Sequence, residues 1–209
     1  DAHTELEEAF DQIGLAVLGP SPEQLDICTR AIAKTTRDAL DALTTHLTKD
    51  EGAGAAQLYR SLMMRELQLD SYDPNKGAVN DTSIVLRLGG RAERVLLAGD
   101  MQFARAEVVG LESEMAALLD VVNDNGPYDL IKTSHHTSDN GLDDAVLAGW
   151  SETRHLVHCG GLKHGDHHPD PDVLRMLKKH GAELELARTD RNGEITWTAS
   201  DGFSVTSGR

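Results

Sequence analysis

RVLLAGD at residues 94–100 and YDLIKTSHH at 128–136 decide the reading of this chain. Each is a short apolar run that closes on side chains able to bind a metal, Asp100 in the first and His135-His136 in the second. Continuous apolar runs of this length, separated by a helical pattern, read as buried strands of an α/β layer. The separating pattern lies at 105–122, where Val108, Leu111, Met115, Leu118 and Val122 fall on one helical face and Asn125-Gly126-Pro127 ends the run. In layered α/β folds ligands gather at strand ends. A carboxylate and imidazoles placed there form a mixed oxygen and nitrogen donor set suited to Zn²⁺, Mn²⁺ or Fe²⁺. Such an ion brings the pKa of a bound water toward neutrality. Spacing alone is not specific: an Asp after a strand is commonly a cap or turn residue, and one of two adjacent histidines is commonly structural.

Working outward, SIVLRL (83–88) reads as a strand before the Gly89-Gly90 turn, and RHLVHC (154–159) as one after a short helix at 143–148. His158 ends that last strand, with His164, His167 and His168 just beyond it. A helix follows from Pro171 to His180, and 182–188 and 194–199 read as a hairpin around Asp190-Arg191-Asn192-Gly193. Toward the N-terminus, QIGLAVL (12–18) is strand-like and stops at Gly19-Pro20. Ser21-Pro22-Glu23-Gln24 is a helix start, with Ser21 as cap, Pro22 at the first helical position and Gln24 closing a capping box. That helix runs to about Lys49 with Leu25, Cys28, Ile32, Leu40, Leu43 and Leu47 inward, and a second helix is expected at 55–69. The two make a helical hairpin, read as a packing or partner-binding insert, and a polar loop spans Asp73–Asp81.

The 209 residues carry 35 acidic and 20 basic side chains, a formal net charge of −15, which excludes a basic nucleic-acid-binding surface at the level of the whole chain. Cys28 and Cys159 are too few for a disulfide framework or a thiolate metal site. No apolar run is long enough for a membrane span, so no membrane contact is expected and the location expected is cytoplasmic. Eight of the ten histidines lie between His135 and His180, a local concentration in a chain whose acidity is general.

Taken together, NDTSIVLRL (80–88), RVLLAGD (94–100), DLIKTSHHTSDNG (129–141) and HGDHHPDPDVLRMLKKHGAELELARTDRNGEITW (164–197) resemble the second half of a metallo-β-lactamase-fold hydrolase. The likeness is to the soluble hydrolase domain of bacterial DNA-uptake (competence) channel proteins and its free-standing relatives. QIGLAVLGP (12–20) resembles the strand ending in Leu-Gly-Pro that precedes these elements in the family. The resemblance implies an αββα sandwich of which residues 1–209 are the C-terminal portion of one domain, with the helical hairpin at 21–70 as an insertion. It implies a two-metal site, zinc or alternatively manganese, in which Asp100 bridges and His135 or His136 binds. His168, matching the Gly-His-Pro loop of the family, orients substrate or gives a proton to the leaving group. The implied activity is that of a metal-dependent phosphodiesterase or nuclease. The acidic composition disfavours long nucleic acid and brings small phosphorylated or ester substrates level with it.

Two departures stand out. Thr137 occupies the place of a usual glycine after the double His, and the family's early His-x-His-x-Asp-His motif is absent, since only His3 and His46 precede residue 130. The expectation is a companion chain or an upstream segment that carries the first half of the fold and the remaining ligands. The alternative is a catalytically inactive scaffold or regulatory subunit that binds a partner through the helical hairpin.

Overall fold

A computed structural model describes residues 14–47, 74–90, 93–160, 168–180 and 184–206. The molecule is α/β, with a mixed six-stranded sheet and helices. The strands are β1 (Ala16–Gly19), β2 (Val85–Leu88), β3 (Val95–Leu97), β4 (Leu130–Lys132), β5 (His155–His158) and β6 (Glu185–Arg188). They lie side by side in that order; β1, β2 and β3 run antiparallel, and β3 through β6 run parallel. Helices α1 (Pro22–Leu47), α2 (Pro74–Asn80), α3 (Glu112–Asp124), α4 (Asp144–Gly149) and α5 (Pro171–His180) connect them, and a separate hairpin of β7 (Glu194–Thr198) and β8 (Gly202–Thr206) follows. No described helix is long and apolar enough to cross a membrane.

The two faces of the sheet differ. Leu96, Ile131 and Leu156 stand opposite one another in register and are fully buried, as is Val85. Cys28 from α1, Met115, Leu118 and Val122 from α3, Val146 from α4 and Val173 and Leu177 from α5 join them in one core. On the other face Leu86, Leu97, Lys132 and Val157 line up in register and are only half buried. The β7–β8 hairpin touches that face at His155, whose ring lies 6.0 Å from Trp197 and 5.3 Å from Phe203.

Several expected elements are corrected. Residues 182–188 and 194–199 do not form a hairpin: β6 pairs in parallel with β5, Leu186 opposite Leu156, and β7 pairs with β8, Trp197 opposite Phe203. Asp190-Arg191-Asn192-Gly193 turns the chain as one helical turn (α6, Thr189–Asn192), closed by Gly193 at φ +73°. The polar loop at 73–81 is largely helical, with Pro74 at the first position, where its missing N–H costs nothing. The helix expected at 105–122 starts only at Glu112: Val108 and Leu111 are buried as the pattern requires, but Gly110 at φ +86° keeps them outside the helix.

In α1, Ser21 does cap, its Oγ accepting from Gln24 N at 3.0 Å. Gln24 does not close a capping box: it is fully buried, and its Nε2 donates to the Asp81 carbonyl at 2.8 Å. Leu25, expected inward, is 40% exposed, because the buried stripe of the helix runs through Gln24 and Cys28. The expected second helix at 55–69 lies outside the described residues, as do the side chains of Leu40, Leu43 and Leu47.

Candidate functional site

Asp100, His135, His136 and His168 meet at the C-terminal ends of β3 and β4. The approach begins at Gly99, which holds φ +58°; a Cβ there would come within 2.6 Å of Ser83 Cβ, so only glycine fits. Ser83 Oγ accepts from Asp100 N at 3.0 Å and fixes the turn. The Gly99 carbonyl accepts from His135 N at 3.2 Å and from Lys132 Nζ at 2.8 Å, so the ends of β3 and β4 are laced together. Lys132 Nζ stands 3.6 Å from Asp100 Oδ1. From its place on the sheet face this lysine puts a cation beside the site.

His135-His136-Thr137 follow β4 in a single 3₁₀ turn with φ of +41°, +51° and +63°. Left-handed backbone costs a non-glycine residue about 1–2 kcal/mol, and a β-branched threonine tolerates it worst. The turn is held by hydrogen bonds. Ser134 Oγ donates to the Met101 carbonyl, Ser138 Oγ donates to Asn140 Oδ1 at 2.5 Å, and Asp170 N donates to the Thr137 carbonyl at 3.0 Å.

The two adjacent histidines are not equivalent. His135 Nδ1 lies 2.7 Å from Asn140 Oδ1, and its Nε2 lies 3.1 Å from Asn80 Nδ2. An imidazole with its proton on Nδ1 satisfies both contacts, so His135 spends both nitrogens on the protein. His136 Nδ1 lies 2.5 Å from the Cys159 carbonyl, which can only accept, so Nδ1 carries the proton and Nε2 a lone pair. That Nε2 faces Asp100 Oδ1 at 3.5 Å. A cation placed between these two acceptors would be bound by both. The spacing suits a tetrahedral ion, whose ligand atoms at 2.0–2.1 Å stand about 3.4 Å apart. An Nδ1–H tied to a backbone carbonyl is also the usual outer support of a metal-binding histidine. His168 completes the wall, its ring 5.4 Å from that of His135 and 6.4 Å from that of His136.

The donors fit a zinc-type ion in kind and spacing but not in number. Among the described residues, no group of three or more His, Cys, Asp or Glu side chains is placed to hold a metal ion. A zinc site takes at least three protein ligands. His164 and His167 lie outside the described residues.

His158, at the end of β5, does not join the donors at the pocket. Its ring is instead wholly buried behind the turn, with Nδ1 2.9 Å from Thr137 Oγ1, and burial holds its pKa below the usual histidine range. Cys159 contributes its carbonyl rather than its thiol. Trp150 is core, edge-on to Phe103 at 6.2 Å. No protein-family model, no curated protein and no solved structure matches the chain.

Proposed function

We propose that this chain is the metal-bridging half of a metallo-β-lactamase-type hydrolase, acting on a small phosphorylated or ester substrate once the first half of the fold supplies the remaining ligands. The observation that carries the reading is the pair of acceptors at adjacent strand ends, Asp100 Oδ1 and His136 Nε2, 3.5 Å apart with the imidazole tautomer set from behind. A second observation supports it. Leu86, Leu97 and Val157 are half buried on one sheet face, beside Lys132, as residues on the inner face of a two-sheet sandwich would be. That face and the missing ligands call for the same companion chain or upstream segment.

In such a site Asp100 and His136 would hold the metal, Zn²⁺ or Mn²⁺, with Asp100 as the carboxylate shared with a second ion. When bound, the metal pair supplies Lewis acidity and a nucleophile at neutral pH. The chain's own residues do the rest. Lys132, 3.6 Å from Asp100 Oδ1, gives the pocket a positive charge for an anionic group. His168, beside both imidazoles, is placed to orient substrate or protonate a leaving oxygen. His135 braces the turn against Asn80 and Asn140. The overall charge of −15 repels a long polyanion, which favours a small substrate over extended nucleic acid.

The test is metal analysis of the complete assembly. Asp100→Ala and His136→Ala are each expected to lower Zn²⁺ affinity by more than the roughly 10–100-fold that outer support residues cost. His135→Ala is expected to loosen the turn and bind zinc more weakly by a smaller factor. Normal metal content in Asp100→Ala would remove the bridging role. Absence of metal from the wild-type assembly would leave the non-catalytic, partner-binding subunit as the reading.

A further inference from the structure

The turn that aims His136 contains a threonine where the backbone asks for glycine, and Thr137 is fully buried. Its Oγ1 lies 2.7 Å from Thr133 Oγ1 and 2.9 Å from His158 Nδ1, and Thr133 Oγ1 lies 3.1 Å from the Val157 carbonyl oxygen. The direction of this chain is determined by its last member. The carbonyl can only accept, so Thr133 donates its one hydroxyl proton to Val157, Thr137 donates to Thr133, and His158 Nδ1–H donates to Thr137.

His158 Nε2 is then a buried acceptor without a hydrogen-bond partner, 3.9 Å from Asp190 Oδ1. Asp190 cannot give it a proton, because the Arg188 guanidinium holds that carboxylate ionised through bonds of 3.0 and 2.5 Å. Gly160 packs against the same nitrogen, where a Cβ would come within 2.5 Å. A leucine would fill this space without an unsatisfied polar atom. An imidazole gains here from the bond to Thr137 and from the His136 backbone beside it.

We propose that His158 is a positioning residue for the reactive imidazole: by donating to Thr137 it holds the left-handed turn that points His136 Nε2 at Asp100. The proposal rests on the functional reading only in taking His136 as the working histidine. The turn and His136 share one backbone, so losing the donor lets Thr137 relax and draws His136 Nδ1 off the Cys159 carbonyl.

The experiment follows the His136 ring nitrogens by NMR in the full chain, reading the ratio of the two neutral tautomers. In the wild type the Nδ1–H form is expected to dominate. In His158→Leu its excess is expected to fall about tenfold, the worth of one hydrogen bond. His158→Asn, which keeps an N–H donor, is expected to restore it. Thr137→Gly takes the left-handed conformation unaided, so adding His158→Leu to Thr137→Gly is expected to change nothing further. An unchanged ratio in His158→Leu, or an equal fall with and without Thr137→Gly, overturns the proposal. Should His158→Leu not fold, the asparagine and glycine backgrounds decide on the same criteria. Zinc added to the complete assembly is scored separately. Tautomer changes as stated with no zinc binding would retire the metal reading and leave the positioning role intact.

Discussion

Asp81→Asn is expected to stabilise the fold by about 2 kcal/mol at pH 8 and to flatten its pH dependence. Asp81 is fully buried. Its Oδ1 accepts from Gln102 N at 3.0 Å, while its Oδ2 has no hydrogen-bond partner among the described residues. Burial, reinforced by the Glu107 charge and opposed by the Gln102 N–H, pushes its pKa up to about 7. An unfolded aspartate titrates near 3.9. Between those two values the folded chain binds the extra proton, so stability falls as pH rises. The contribution is fully present below about pH 4, is lost by about pH 7 and is flat above. A shift of that size is worth about 4 kcal/mol at most, and roughly half is expected after the new amide adjusts to its neighbours. Urea denaturation of both proteins at pH 5 and pH 8 checks this. The wild type should weaken across that interval and the variant should not. A variant less stable than wild type at pH 8 would mean that a partner stabilises the ionised carboxylate.

Ile131→Ala is expected to cost about 3–4 kcal/mol. Ile131 sits in the middle of the central strand β4, fully buried, flanked in register by Leu96 and Leu156. Neighbours held by the sheet backbone cannot close the cavity that truncation leaves, so the cavity penalty adds to the lost transfer energy. Val17→Ala on edge strand β1, where the side chain is 55% exposed, is the control and should change stability by less than about 0.5 kcal/mol. Chemical denaturation of the two variants reads the difference directly. A loss below about 1 kcal/mol at Ile131 would mean that this face is not close-packed.

The strands that carry the candidate site were legible because each is an apolar run that stops at a polar side chain. RVLLAGD and DLIKTSHH gave both the sheet and the convergence of Asp100 with His135 and His136 at neighbouring strand ends. What stayed hidden depends on tertiary partners. Nothing in DLIKT says that Lys132 bends back to the Gly99 carbonyl, or that His158 reaches a threonine on another strand's loop. The choice between His135 and His136 required Asn80, Asn140 and the Cys159 carbonyl to be in place. Asp-Arg-Asn-Gly has the chemistry of a hairpin turn, yet it forms a helical turn because β6 is claimed by β5. Val108 and Leu111 kept a helical period across Gly110, which a periodicity argument does not see as a break.

Strand position and strand number coincide across the whole main sheet, from β1 to β6. No late strand has to be threaded between two earlier ones, so the sheet can grow outward from one edge as synthesis proceeds, each new strand meeting a neighbour already made. Shortening the chain from its C-terminus would therefore peel the sheet one edge at a time. The β3–β4 ledge that bears Asp100 and His136 would stand until β6 and β5 had gone.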